Sequence, residues 1–417
     1  MPGIQTGGNA VKRTLALAAT VALTLAACGG AAAPVSPSSA VPAASAATSS
    51  AAAKPAATEA SAKPSGSAPA SAKPAASGAA SAKPAASASG PAVVAASVSA
   101  APGQVIVKVG NSSASPTNGG EYVANGMGLF EKQGLKIQPV TFNAASAVAP
   151  ALATGEVDVA DVGVNPAMFN TMAAALGAKV VADKGYAPPG FGSASVIVRK
   201  DLADKIKGPA DFKGLQVGMT PPGLGTSAGY AMAQWLATAN VTPNDFHIQP
   251  IPFPEMPAAI QNGALDAAMM SEPFATQTVN QNLGVRLTTW DKMVPNQQIA
   301  AYAFSAKFVQ NRDAATRWMT AYIQGIRIYD DAFMKGKDKD KVIQIMANET
   351  PIKDTKLWSE MIPAGLNPNG TVSVQSIADQ EEFFKKLGLV QPSAPPPSSF
   401  IDDSFAQAAA KELGPYS

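Results

Sequence analysis

From residue 29 to residue 102 the chain contains no aromatic side chain and is built almost wholly of Ala, Ser, Pro, Gly, Lys, Val and Thr. Such residues bury too little apolar area to offset a backbone entropy cost of about 1–2 kcal/mol per residue, so this stretch is expected not to fold. Ser61-Ala62-Lys63-Pro64 returns at Ser71 and again at Ser81, a period of ten residues. No unit carries a large apolar residue to stack on the next, which excludes a solenoid. As a flexible coil its 74 residues span about 5–6 Å × √74, roughly 50 Å, the reach of a tether. The chain of 417 residues thus reduces to one foldable region, residues 104–417, ample for a single two-lobed protein.

Ahead of the tether, Lys12 and Arg13 precede an apolar run from Thr14 to Thr24, too short to span a bilayer as a helix. This is the pattern of a secretory signal, assigned to residues 1–27. It ends in Leu25-Ala26-Ala27-Cys28-Gly29, a string that resembles the bacterial lipobox. Cys28 is the only Cys and His247 the only His, so neither an internal disulfide nor a Cys/His zinc site can form. Lipidation gives Cys28 a role that needs no partner, and residues 28–103 then tether the fold to the outer face of a membrane. The net charge of +2 divides unevenly: residues 1–102 hold six cations against Glu59, which leaves 25 basic and 28 acidic residues beyond. The foldable part is mildly acidic and has no basic stripe interleaved with aromatics, which sets nucleic acid aside as a partner.

Beyond residue 104 the pattern alternates. Val105 to Val109 reads as a strand, Glu121 to Phe130 as a helix stopped by Gly134, and Leu135 to Thr141 as a strand. A helix from Ala144 to Thr154, Gly155 and a strand from Val157 to Val162 follow. This β-α-β-α-β order implies a parallel sheet with ligand loops at its carboxyl ends. The segment Pro150 to Ala160 can be laid on Ala258 to Ala268, with Gly155 on Gly263 and Asp158 on Asp266, which points to two lobes of similar construction. Between the copies, the strand Leu215 to Met219 runs into Thr220-Pro-Pro-Gly223-Leu-Gly225-Thr226-Ser227, which opens an apolar helix. A Gly-rich turn there offers free N–H groups to a ligand, while Thr226 or Ser227 is equally suited to cap the helix. Gly225 to Gly229 also matches G-x-S-x-G. The hydrolase reading fails on its partners, because His247 lies only 20 residues downstream and Pro221 to Leu224 separate the strand from the Ser.

Four segments, in order, carry a family resemblance: Glu121-Tyr-Val-Ala-Asn-Gly-Met-Gly-Leu-Phe-Glu-Lys-Gln-Gly-Leu135; Ala-Leu-Ala-Thr-Gly155 through Gly163; the Gly225-Thr-Ser227 turn; and Asn262-Gly-Ala-Leu-Asp266 with Ser271-Glu272-Pro-Phe-Ala-Thr-Gln277. Over residues 104–417 the chain resembles the nitrate, sulfonate, taurine and thiamine-precursor group of ABC-transporter substrate-binding proteins. The resemblance implies an α/β, two-lobed periplasmic-binding-protein-like fold of type II with two crossing strands as hinge. The crossings are expected near Ser193 to Val198 and Ala300 to Ser305, with lobe 1 formed by residues 104–194 and 300–417 and lobe 2 by 195–299. It further implies a monomer that delivers a small molecule to an ABC permease, with no catalytic residue, metal or cofactor.

By position, the ligand-facing candidates are Ser112 and Ser113 after the first strand, Gly163, Val164 and Asn165 after the third, and Gly225, Thr226 and Ser227 in the second lobe. Tyr186 and Phe191 either stack on a planar ligand or anchor their own loop. Glu272 either accepts from an amine or ring N–H of the ligand, makes a hinge hydrogen bond or forms a surface contact with the transporter. Trp318, Tyr322 and Ile326 stand at helical spacing in Asp313 to Phe333 and are expected in the core. The matched loops show no Arg or His, which weakens an oxyanion ligand and favours an organic one, nitrogen-containing ligands among them. Two rival readings are an enzyme acting on a pyrimidine-type precursor and an adaptor that presents ligand to a membrane sensor.

Overall fold

The computed structural model describes residues 93–94 and 98–417, apart from residues 113, 143, 144 and 176. The signal segment, Cys28, nearly all of the tether and Ser113 lie outside the described residues. Eleven strands are described: β1 (Val93–Val94), β2 (Val105–Asn111), β3 (Leu135–Thr141), β4 (Val159–Gly163), β5 (Lys179–Asp183), β6 (Ala194–Arg199), β7 (Gln216–Met219), β8 (His247–Pro250), β9 (Ala267–Ser271), β10 (Gly284–Thr289) and β11 (Ala300–Phe304). They form two sheets, ordered β1-β3-β2-β4-β11-β5 and β10-β6-β9-β7-β8.

The sheets repeat one plan. In the first, β2 runs parallel to β3 and β4, and β11 lies antiparallel between β4 and β5. In the second, β7 runs parallel to β8 and β9, and β6 lies antiparallel between β9 and β10. The chain therefore leaves the first sheet after β5, contributes β6 to the second at once, and returns only with β11. This is the two-lobed α/β architecture with a strand crossing in each direction.

The repeated Gly and Asp explain part of that likeness. Gly155 and Gly263 both take left-handed backbone, with φ of +74° and +78°, each just ahead of the strand that follows. Three residues later the Asp clasps the neighbouring parallel strand. Asp158 N–H donates to Lys108 O (2.9 Å) while its Oδ2 accepts from Lys108 N–H (3.0 Å). Asp266 does the same to Gln216, at 2.9 Å in both directions. The Asp carbonyls complete the clasp by accepting from Ser305 N–H and Arg199 N–H, next to the crossing strands.

The helix Arg312–Lys335 fills one face of the first sheet, capped by Asn311 Oδ1 and ended by Gly336 at φ +72°. Trp318, Tyr322 and Ile326 are fully buried, as their spacing predicts; Trp318 stacks on Tyr322 (5.1 Å) and meets Tyr302 and Phe304 edge-on. The shorter Gly119–Gly126 helix packs on it so closely that a Cβ at Gly325 would stand 2.2 Å from Gly120 O. The segment expected as one helix to Phe130 is broken in two: Gly128 at φ +65° separates it from Leu129–Lys132. On the other face, Val374–Lys386 lies beside Pro166–Ala174, with Phe384 against Phe169 (6.1 Å). Tyr230, from the helix Ser227–Ala237 that follows the second sheet's β7, reaches the same cluster and meets Phe383 edge-on at 5.3 Å.

Candidate functional site

The carboxyl ends of β2, β4 and β5 gather a buried polar group. Asn111 closes β2 and donates from Nδ2 to Glu121 Oε1 (3.2 Å), and Tyr302 Oη donates to Glu121 Oε2. Burial raises the pKa of Glu121 against the pull of those two hydrogen bonds. Lys184, immediately after β5, pairs with Asp161 of β4 at 2.9 Å and donates to Thr117 Oγ1 at 3.0 Å. Asp183 is fully buried, receives N–H donors from Gly185 and Asn367, and is pushed up by burial to about 6. Asp330, on the face of the long helix turned toward it, is pushed up to about 8 by burial and then by Asp183. Asn118 completes the group at the start of the Gly119–Gly126 helix.

The expected site residues divide around this group. Ser112 is half-buried beside Asn111. Gly163 ends β4, and Val164 N–H donates to Ile299 O (3.0 Å), which ties that loop to the return crossing. Asn165 caps the Pro166–Ala174 helix through Met168 N–H (3.0 Å). Tyr186, half-buried, donates its N–H to Gly365 O (3.1 Å). Phe191 is half-buried in a turn closed on Pro188 O, and Gly190 N–H donates to Asp291 Oδ2 (2.8 Å), so the loop is pinned beyond β10 as well.

In the second lobe, Thr226 Oγ1 accepts from Gly229 N–H and donates to Gly223 O, both at 2.9 Å, which is the capping role in full. Gly225 lies against Pro222 and Leu389, leaving little space for a Cβ. Ser227, half-buried, uses its carbonyl to accept from Gln297 Nε2 (2.9 Å). Glu272 departs from the reading as a ligand acceptor. Its carboxylate is buried, pairs with Arg286 at 3.0 Å, accepts from Thr276 N–H at 3.0 Å, and is approached by Ile362 N–H at 3.4 Å. Those partners belong to the protein: Arg286 and Thr276 come from the second lobe, and Ile362 follows the helix Thr355–Glu360, well beyond β11 in the chain.

Asn111, Asn118, Glu121, Asp161, Lys184 and Asp330 were not picked out from the sequence. They come from four separated segments and meet only because β4 and β5 flank β11, a non-local arrangement. A surface hollow of about 370 Å³, lined by Val105, Lys108, Asp158 and Lys307 among others, opens at the opposite, amino ends of β2 and β4. Among the described residues no three His, Cys, Asp or Glu side chains are placed to hold a metal ion, and no helix is long and apolar enough to cross a membrane.

Comparison with known proteins agrees with this architecture. The nitrate/nitrite binding protein NrtA of Nostoc sp. (strain PCC 7120) is 28% identical over 151 residues, 36% of this chain and 32% of that protein, so the match spans about a third of the relative's length. The periplasmic nitrate-binding protein NrtA from Synechocystis PCC 6803 superposes with a TM-score of 0.61 at 17% identity, over 74% of this chain and 89% of that one. The periplasmic aliphatic sulphonate binding protein SsuA from Escherichia coli gives 0.57 at 20%, over 72% and 99%. These likenesses identify the periplasmic-binding-protein fold, and all three relatives are named as binding proteins, not enzymes. The model of the NMT1-like family matches residues 101–347, well over half of the chain. The chain belongs to the NMT1-like family.

Proposed function

We propose that this protein is an extracytoplasmic solute-binding component of an ABC importer, held to the membrane by lipid on Cys28 and closing its two lobes on a small organic solute. Residues 104–194 with 300–417 form one lobe and 195–299 the other. The observation that carries the reading is the exchange of strands: β6 begins the second sheet as the chain enters it and β11 completes the first on the chain's return, so two loop-bearing edges are joined by two crossings that can flex. The binding-protein relatives support it. The ligand-facing set comprises Ser112, Ser113, Gly163, Val164, Asn165, Tyr186, Phe191, Gly225 and Ser227, with Thr226 holding its turn and the polar edge of the first sheet beneath.

A thermal-shift screen against a metabolite library tests the reading, followed by small-angle scattering on each hit. A true ligand raises the melting temperature by several degrees at saturation and contracts the molecule. If no solute does either, the transport reading fails. Lipidation is tested separately: in cells fed a palmitate analogue, the full chain takes up label and sediments with membranes, whereas Cys28→Ser does neither.

A further inference from the structure

The polar edge of the first sheet holds more hydrogen-bonding capacity than the fold itself uses. Asn118 is 0% exposed, yet neither its Oδ1 nor its Nδ2 has a partner among the described residues. Asn111 Oδ1 and Asp330 Oδ2 are buried in the same condition. Native proteins leave few such atoms, because each forfeits its hydration without compensation. The residues on either side of Asn118 touch the chain neighbours of Asp183 and Asp330. Thr117 lies against Gly185 and is held by Lys184, at the end of β5, while Gly119 abuts the ring of Tyr329, next to Asp330.

The unmet atoms are two amide oxygens, one carboxyl oxygen and one amide N–H. The protein itself supplies no spare cation here: among the described residues Lys184 is committed to Asp161 and Arg286 to Glu272, and Glu121, Asp183 and Asp330 make no salt bridge. An oxyanion brings only acceptors and negative charge to such a place. A compact cation with N–H groups brings what is missing.

We propose that this edge is a recognition subsite for an ammonium group of the solute, with Asp330 as its counter-ion and Asn118 and Asn111 as its hydrogen-bond acceptors. The assignment rests on the solute-binding reading and narrows its ligand class to amines. Ser115 and Tyr186, both part-exposed, border the subsite from the loop side.

The test uses two probes of similar size and opposite charge, ethylammonium chloride and sodium ethanesulfonate, against sodium chloride at equal ionic strength. Ethylammonium is expected to raise the melting temperature of the wild-type protein and ethanesulfonate is not. Asp330→Asn keeps the shape of the side chain and is expected to weaken ethylammonium about 10- to 100-fold. Asn118→Leu, with its folding checked by circular dichroism, is expected to weaken it as well. The assignment is overturned if ethylammonium gives no shift, if ethanesulfonate stabilises as well or better, or if Asp330→Asn binds ethylammonium unchanged. The two readings fail separately. An anionic library solute that contracts wild type and Asp330→Asn alike overturns the amine subsite and leaves solute binding standing, whereas a library in which nothing contracts the protein defeats both.

Discussion

Replacing Asp330 by Asn should make this protein more stable, and by an amount that grows with pH. Asp330 is 2% exposed, and burial lifts its pKa from 3.8 to about 8. Below pH 3.8 both the folded and the unfolded chain hold the proton, so the residue carries no pH-dependent penalty. Between pH 3.8 and 8 the unfolded chain releases the proton while the folded chain keeps it, and stability falls by about 1.4 kcal/mol per pH unit. At pH 7 this amounts to about 4 kcal/mol, a large fraction of a typical folding free energy of about 5–15 kcal/mol. Asn has no proton to lose, so the variant escapes the penalty. Asp183, which faces Asp330 and is itself pushed up to about 6, is common to both proteins and drops out of the comparison to first order. Urea unfolding at pH 4.5, 6 and 7.5 checks this, with the gap between variant and wild type widening at each step. A constant gap, or a variant that is the weaker protein at pH 7.5, would refute the reasoning. In the empty protein Asp330 is thus neutral at pH 7, and an ammonium bound beside it would draw that proton off and remove the penalty, which is how the same residue destabilises the empty site and serves as counter-ion in the filled one.

Arg286→Leu should cost about 2–3 kcal/mol by chemical denaturation, since it strands the buried Glu272 carboxylate while Arg286 itself is still 23% exposed. Thr226→Val should lower stability by about 1 kcal/mol through the lost cap, whereas Ser227→Ala should leave melting unchanged and weaken the library hit; the reverse pattern would remove Ser227 from the binding set. Gly325→Ala should lose at least about 1–3 kcal/mol, because its Cβ would meet the backbone oxygen of Gly120 and no side chain can yield there; a neutral result in thermal melting would show that the two helices are freer than they are packed.

The sequence was most legible where structure is local. Gly155 and Gly263 reveal themselves because a left-handed residue between helix and strand has few substitutes, and the strand expected from Val157 to Val162 is found at Val159–Gly163. The capping of Thr226 was readable for the same reason. What could not be read is what depends on chain meeting chain. Glu272 resembles a ligand acceptor until β10 brings Arg286 against it. Lys184 is an ordinary lysine after a strand until β4 supplies Asp161, and Asp330 is one polar residue of an amphipathic helix until β5 ends beside it. The break at Gly128 was visible as a glycine but not as a boundary, because isolated glycines are tolerated within helices.

The exchange of strands has a bearing on the order in which the molecule can be completed. When the first five strands have left the ribosome, the first sheet still has a gap between β4 and β5, and β11 that fills it is made only after the whole of the second sheet. The second sheet has no such wait, since β6 is the first of its strands to appear. The lobe begun first is therefore finished last, and its two halves must stay apart or pair provisionally until Ala300–Phe304 arrives. A chain of this design postpones stable folding until most of it has been synthesised, which explains why its amino-terminal half should not be obtainable as a folded fragment.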